Sequence, residues 1–141
     1  MDLIKLSANE ALKMMEEDSL SSEEYVKAFL KQIELREDDV GAWIFLDPKL
    51  ALEQAREADK RWKDKSTGKL NGLPIGIKDI IDTKDMPTEN GSHLCKNRKP
   101  SKDAHLVRLL RDEGAVIMGK CVTTEFALSG PGKTKNPKDL E

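Results

Sequence analysis

The sequence predicts an α/β fold in which N-terminal helices precede a first parallel β-α-β unit. Segments with the apolar spacing of a helix, two of them opened by capping signals, fill most of residues 7–62. Farther along, two short apolar runs at 72–78 and 115–119 flank an amphipathic segment of helical length. Strands connected in this way lie parallel and are joined by a right-handed crossover.

Two helices are predicted to open the chain. Ser7 and Glu10 have the spacing of a capping box, in which each side chain satisfies a backbone amide of the first turn, and Ser21 and Glu24 repeat that spacing. The apolar face of the second helix consists of Tyr25, Val26, Phe29, Leu30 and Ile33. Its polar end is predicted at residues 36–39.

A short strand and a third helix are predicted next. Residues 42–46 are apolar and aromatic, which is typical of a strand. Asp47 and Pro48 then supply an N-cap and a proline suited to the first helical position. A stripe of small and apolar residues predicts a helix to about Trp62, followed by a polar surface loop at 63–69.

The β-α-β unit begins at residues 72–78, an apolar run that ends at Lys78. Residues 80–83 are predicted to prolong this strand, and 84–92 are rich in turn formers, as in a loop over a site. Residues 101–113 then have the pattern of an amphipathic helix. Gly114 and the buried strand at 115–119 follow it.

Composition limits the classes of partner. The 141 residues, enough for one domain, carry 24 basic and 26 acidic side chains, a formal net charge of -2. This balance predicts no nucleic-acid partner. There is no apolar run of roughly 20 residues and no signal-peptide pattern, so no membrane partner is predicted and a cytoplasmic location is expected.

The residues that commonly bind metals are scattered along the chain. Cys95 and Cys121 lie far apart, and with His93 and His105 they show no metal-ligand spacing. No metal or cofactor is therefore predicted, and both cysteines are expected to be free thiols.

Lys78 is the candidate for chemistry. A charged group that ends an apolar strand is costly to bury without partners, and a desolvated lysine can lose its proton and act as a base. The ordinary alternative is a strand-end lysine whose amine reaches solvent. The sequence context decides between these two interpretations.

Four blocks of sequence, in order, resemble the amidase signature family. They are residues 72–79, 86–92, 103–104 with 114–120, and 124–127 with 133–137. Each block alone is weakly specific, whereas their order and spacing make a strong resemblance. It covers the chain from about Ser7 to its end.

This resemblance implies a mixed sheet, of which the chain would hold an incomplete first part: an N-terminal helical segment with one strand at 1–70, and the first part of the α/β core at 71–141, in one structural unit. It also implies hydrolysis of carboxylic amide C–N bonds by a serine nucleophile, a second serine in a cis peptide bond and a lysine, which Lys78 matches. Ser129 and Gly130 are candidate substrate-binding residues, with a flexible turn as the alternative.

The family's Gly/Ser-rich segment, which holds the bridging serine and the oxyanion donors, is absent from the sequence. We therefore expect an N-terminal fragment that contributes the catalytic lysine and is inactive alone. Its expected partners are a small-molecule amide in the complete enzyme, and either a complementary C-terminal half or further copies of itself.

Two alternatives stay open. One is part of a glutamyl-tRNA amidotransferase A subunit, although residues 128–134 resemble stand-alone amidases more. The other is a non-catalytic binding or assembly module derived from the fold.

Overall fold

The computed structural model describes residues 2–128 and 130–140. Its α-helices in that part of the chain are α1 Ala8–Glu16, α2 Ser22–Val40, α3 Pro48–Lys63 and α4 His105–Asp112. The strands are β1 Trp43–Leu46, β2 Pro74–Lys78 and β3 Val116–Cys121. Short 3₁₀ helices lie at Leu3–Lys5, His93–Cys95 and Glu125–Ala127.

Both predicted capping boxes are present. The Ser7 hydroxyl accepts from the Glu10 amide, and the Glu10 carboxylate accepts from the Ser7 amide at 2.8 Å. Ser21 and Glu24 make the same pair at the start of α2. The backbone and hydroxyl hydrogen bonds from Ser21 lower the pKa of Glu24. The predicted starts of the first two helices are confirmed.

The predicted end of the second helix is wrong. Residues 36–39 are helical, and α2 continues to the buried Val40. Charged residues such as Asp38 and Asp39 lie on the exposed side, where they do not interrupt the helix. The helix stops at Gly41, which adopts a left-handed conformation with φ of 59° that glycine tolerates.

The sheet has the strand order β1-β3-β2. Strands β2 and β3 are parallel and α4 connects them, so the predicted β-α-β unit is confirmed. Strand β1 pairs with β3 in the antiparallel direction, which makes the sheet mixed. In the parallel register Lys78 pairs with Cys121, so both strands end at the same edge of the sheet.

Several predicted element bounds change in the β-α-β unit. The strand does not continue through 80–83, because the Ile81 amide donates to the Lys78 carbonyl and closes a turn. Helix α4 begins at His105 rather than at 101. The preceding residues are held against the loop instead, since the Asp103 carboxylate accepts from the Lys84 amide at 2.9 Å. Strand β3 extends past 119 to Cys121.

Helices cover both faces of the sheet. Successive side chains of a strand point to opposite sides, so each face contributes its own residues to the core. On one face Val116 and Met118 pack against α2 and α3, and on the other Ile117 packs against α4. A third cluster joins α1 to α2 and consists of Ala11, Met15, Leu20, Tyr25 and Leu73. The predicted apolar face of α2 packs within the chain, with Tyr25 and Val26 buried.

Several contacts cross the predicted boundary at residue 70. Strand β1 pairs with β3, α3 packs on β3, and Leu70 contacts two of the apolar clusters. The division into 1–70 and 71–141 itself stays a prediction. None of the described helices is both long enough and apolar enough to cross a membrane.

Candidate catalytic site at the carboxyl ends of the parallel strands

The candidate site lies at the edge where β2 and β3 end together. Lys78 is the last residue of β2, and the loop at 79–92 follows it directly. The segment at 122–127 follows β3 at the same edge. In α/β sheets the carboxyl ends of parallel strands are where ligands commonly bind, since the loops there supply polar groups.

Lys78 is exposed, contrary to the expectation that it would be desolvated. The reason is strand alternation at the outer position of the sheet: Ile77 is buried in a cluster with Val107 of α4, whereas Lys78 faces the other way and is exposed. Its amine is therefore free to meet a group that approaches from outside. Its catalytic role stays a prediction.

The buried lysine at this edge is Lys120, whose side chain has 0% exposure. Its ammonium donates to the carbonyl oxygens of Ile81 at 2.9 Å and Pro87 at 3.2 Å, and to the Thr88 hydroxyl. The Asp79 carboxylate lies 3.5 Å away. Burial lowers the pKa of Lys120, and Asp79 opposes that shift.

Asp79, the residue after Lys78, is also buried and fully engaged in hydrogen bonds. Its carboxylate accepts from the Glu89 amide at 3.1 Å. Its own amide donates to the Cys121 carbonyl, and its carbonyl accepts from the Asn90 amide at 3.0 Å. These contacts make Asp79 a structural hydrogen-bond acceptor at the end of β2.

The loop after β2 also contacts the segment after β3. The Ser92 hydroxyl donates to the Glu125 carboxylate at 2.6 Å, and the Phe126 amide donates to the Asn90 carbonyl at 2.8 Å. Gly91 has a φ of 65°, and a Cβ there would lie 2.8 Å from the Thr123 carbonyl oxygen. Lys120 of the third block also contacts this loop, so residues from all four sequence blocks meet at this edge.

The two candidate substrate-binding residues gain no support from contacts. Ser129 lies outside the described residues. Gly130 is exposed, and a Cβ placed on it would meet no atom within 4 Å. Their role in binding stays a prediction.

Lys120 is the residue at this edge that the sequence analysis did not single out. The signal that pointed to Lys78, a lysine that ends an apolar strand, applied equally to Lys120. Which of the two is buried depends on the position of each strand in the sheet, and the sequence pattern does not contain that information.

Comparison with known proteins shows which family the chain belongs to. The family model described as Amidase matches residues 24–141. The chain belongs to the amidase family. Its fold agrees with this membership, since amidase structures superimpose on most of it.

Curated relatives of this amidase-family chain include glutamyl-tRNA(Gln) amidotransferase A subunits. The subunit from Dehalococcoides mccartyi strain BAV1 is 36% identical over 96% of the chain, which spans 29% of that relative. The subunit from Clostridium botulinum strain Okra is 35% identical over 100% of the chain, which spans 30% of it.

Among solved structures, the peptide amidase from Stenotrophomonas maltophilia superimposes with a TM-score of 0.81 and 33% identity, over 86% of this chain and 26% of that one. A fatty acid amide hydrolase gives a TM-score of 0.85 and 28% identity, over 98% of this chain and 26% of that one. The chain thus spans less than a third of the length of these relatives.

Proposed function

We propose that this chain supplies the lysine of an amide-cleaving site that operates by the Ser–cis-Ser–Lys mechanism, with Lys78 in that role. The observation that carries the proposal is the position of Lys78 at the end of β2, at an edge where residues from all four sequence blocks meet. Membership of the amidase family supports the reaction class.

In this proposal Lys78 works as a base and then as an acid. A neutral amine takes a proton through a bridging serine hydroxyl while a second serine attacks the amide carbon, and the proton returns to the leaving nitrogen. The two serines and the oxyanion donors would come from the part of the relatives that this chain does not match. Docking of that part would cover the now exposed Lys78 and exclude water from it.

The partners follow from the same reasoning. A complementary C-terminal half carries the serines, and a small-molecule amide is the substrate. A cytoplasmic location belongs to the proposal, and it is supported by Cys95 and Cys121, which are both free thiols.

A second candidate is the amide-chemistry part of a glutamyl-tRNA amidotransferase A subunit. Eight curated relatives with that name are 34–39% identical over at least 90% of the chain. Lys78 would have the same role in this candidate, and the amide substrate and the acceptor would differ.

Replacing a segment of a known enzyme tests the proposal. The portion of the Stenotrophomonas maltophilia peptide amidase that matches this chain is exchanged for residues 1–141, and hydrolysis of a peptide amide is measured. We expect an active chimera in which Lys78→Ala lowers kcat at least a hundredfold. Lys49→Ala, an exposed lysine on α3, is the matched control and should stay within twofold.

Two results would contradict the proposal. One is a chimera that unfolds cooperatively but hydrolyses no amide. The other is a Lys78→Ala chimera that keeps kcat within tenfold of its parent, because loss of a proton-transfer group normally costs a hundredfold or more. The same exchange in the Dehalococcoides mccartyi A subunit, assayed for amide transfer to glutamyl-tRNA(Gln), separates the two candidate activities.

A further inference from the structure

Lys120 contacts more groups than the single carboxylate that would neutralise its charge. Its ammonium has hydrogen-bonding or ionic contacts with Asp79, Ile81, Pro87 and Thr88. All four belong to the loop that follows β2, whereas Lys120 itself lies on β3. The lysine therefore fastens one loop to the neighbouring strand through several directional bonds.

The fastened loop has little regular structure of its own. Residues 79–92 contain turns and bends with no helix or strand. Yet Asp79, Thr83, Met86 and Thr88 are buried. A loop without regular structure keeps one conformation only when contacts with the rest of the protein hold it there. The Lys120 ammonium supplies four such contacts.

A contribution to stability alone would not require a lysine here. Well-packed apolar residues in place of a buried ion pair are often neutral or stabilising, because the charges no longer lose their hydration. A lysine differs from an apolar residue because its hydrogen bonds fix the direction of the oxygens around it. Lys120 therefore fixes the conformation of the loop that carries these oxygens.

The loop that Lys120 fixes starts at the candidate catalytic lysine. The Asp79 side chain forms an ion pair with Lys120, and the Asp79 backbone directly follows Lys78. Through the Glu89 and Asn90 amides, both of which donate to Asp79, the same network reaches the Phe126 amide in the segment after β3. The contacts of the Lys120 ammonium therefore bear on the loop that begins directly after Lys78.

We propose that Lys120 is a positioning residue for Lys78. Together with Asp79 it holds the loop after β2 in one conformation, so that the Lys78 amine occupies a fixed place at the carboxyl edge. This inference rests on the proposed function of Lys78, and it assigns Lys120 no contact with the substrate.

The test uses a variant that removes both charges together. In Asp79→Asn with Lys120→Met, no buried charge is left unpaired, and the asparagine oxygen can still accept from the Glu89 amide. Thr88→Val is a milder second variant, which keeps the ion pair and removes the hydroxyl that Lys120 contacts. Lys49→Met, at an exposed position on α3, is the matched control.

The first readout is amide hydrogen exchange in the 141-residue chain, which requires no catalysis. We expect the Glu89 and Asn90 amides to exchange at least tenfold faster in the double variant and several-fold faster in Thr88→Val. Exchange in the middle of α2 should remain within twofold, since positioning is a local effect. Lys49→Met should change neither region.

The second readout is the split between kcat and KM in the chimera described above. We expect kcat of the double variant to fall at least tenfold while KM stays within threefold, because the substrate still binds but the amine is displaced. Unchanged exchange at Glu89 and Asn90 in both variants would overturn the inference. So would faster exchange by one uniform factor throughout the chain, which is the signature of a purely structural role.

The two proposals fail in different ways. If Lys78→Ala keeps its activity, the proposed function fails and Lys120 loses its catalytic purpose, whatever the exchange data show. If Lys78→Ala is inactive but the double variant retains full kcat, only the positioning role is overturned.

Discussion

The ammonium of Lys120 lies 3.5 Å from the carboxylate of Asp79, and the side chains of both residues are buried. Asp79 directly follows β2, and Lys120 lies near the end of β3. The pair therefore links the ends of the two parallel strands, independently of the backbone ladder between them. Its energetics can be tested separately from any catalysis.

Removing only one member of this pair should be strongly destabilising. Asp79→Ala leaves the buried Lys120 ammonium without its carboxylate, and breaking a buried pair in this way typically costs about 3–5 kcal/mol. Denaturant unfolding followed by circular dichroism measures the free energy. Asp79→Ala combined with Lys120→Met should recover at least half of the loss. A single variant as stable as the parent would show that the ammonium needs no counterion.

The core between the sheet and α4 gives a second prediction. Ile117 is fully buried, and Ile117→Ala should lower the free energy of unfolding by roughly 2–5 kcal/mol because it leaves a cavity. Ile44, on β1, is 47% exposed and offers the same substitution on the surface. Ile44→Ala should cost no more than about 1 kcal/mol. Equal losses at the two positions would argue against the packing described for β3.

A third prediction concerns pH. Arg98 donates to both carboxylate oxygens of Asp82, at 2.6 and 2.8 Å, and these bonds hold the pKa of Asp82 below its usual value of 3.8. Since the folded-state pKa is the lower one, the pair stabilises the fold above pH 3.8. That stabilisation is lost as the pH falls through the folded-state value.

The measurement for this pair is the unfolding free energy of the parent and of Asp82→Asn across the acid range. Because both side chains are more than a third exposed, the difference at neutral pH should be under about 1 kcal/mol and should shrink in high salt. It should vanish at the lowest pH at which the chain still folds. Arg98→Ala should behave in the same way. A difference that grows on acidification would reverse the assigned sign.

Local features of the fold could be predicted from the sequence, and features set by distant contacts could not. The capping box of Ser21 and Glu24 involves residues three apart, so its pattern is visible in the sequence. The Lys120 ammonium instead bonds to Ile81, 39 residues away, and no short pattern reveals such a partner. The exposure of Lys78 likewise depends on β2 lying outermost in the sheet. The family blocks pointed to the candidate site, and the fold determined which lysine is buried.

The close approach of β1 to β3 gives the last prediction. A Cβ on Gly119 would lie 2.3 Å from the Phe45 carbonyl oxygen and 3.2 Å from the Cα of Leu46, and both are backbone atoms that cannot rotate away. Gly119→Ala must therefore push β1 off β3, at a cost of roughly 1–3 kcal/mol. Gly132→Ala is the control, because its nearest neighbour, the Val122 side chain, would be at an ordinary 3.5 Å. The fluorescence of Trp43, on β1, should change in the first variant and stay constant in the second. If Gly119→Ala unfolded within about 0.5 kcal/mol of the parent, the range of ordinary surface substitutions, the two strands could not be as close as described.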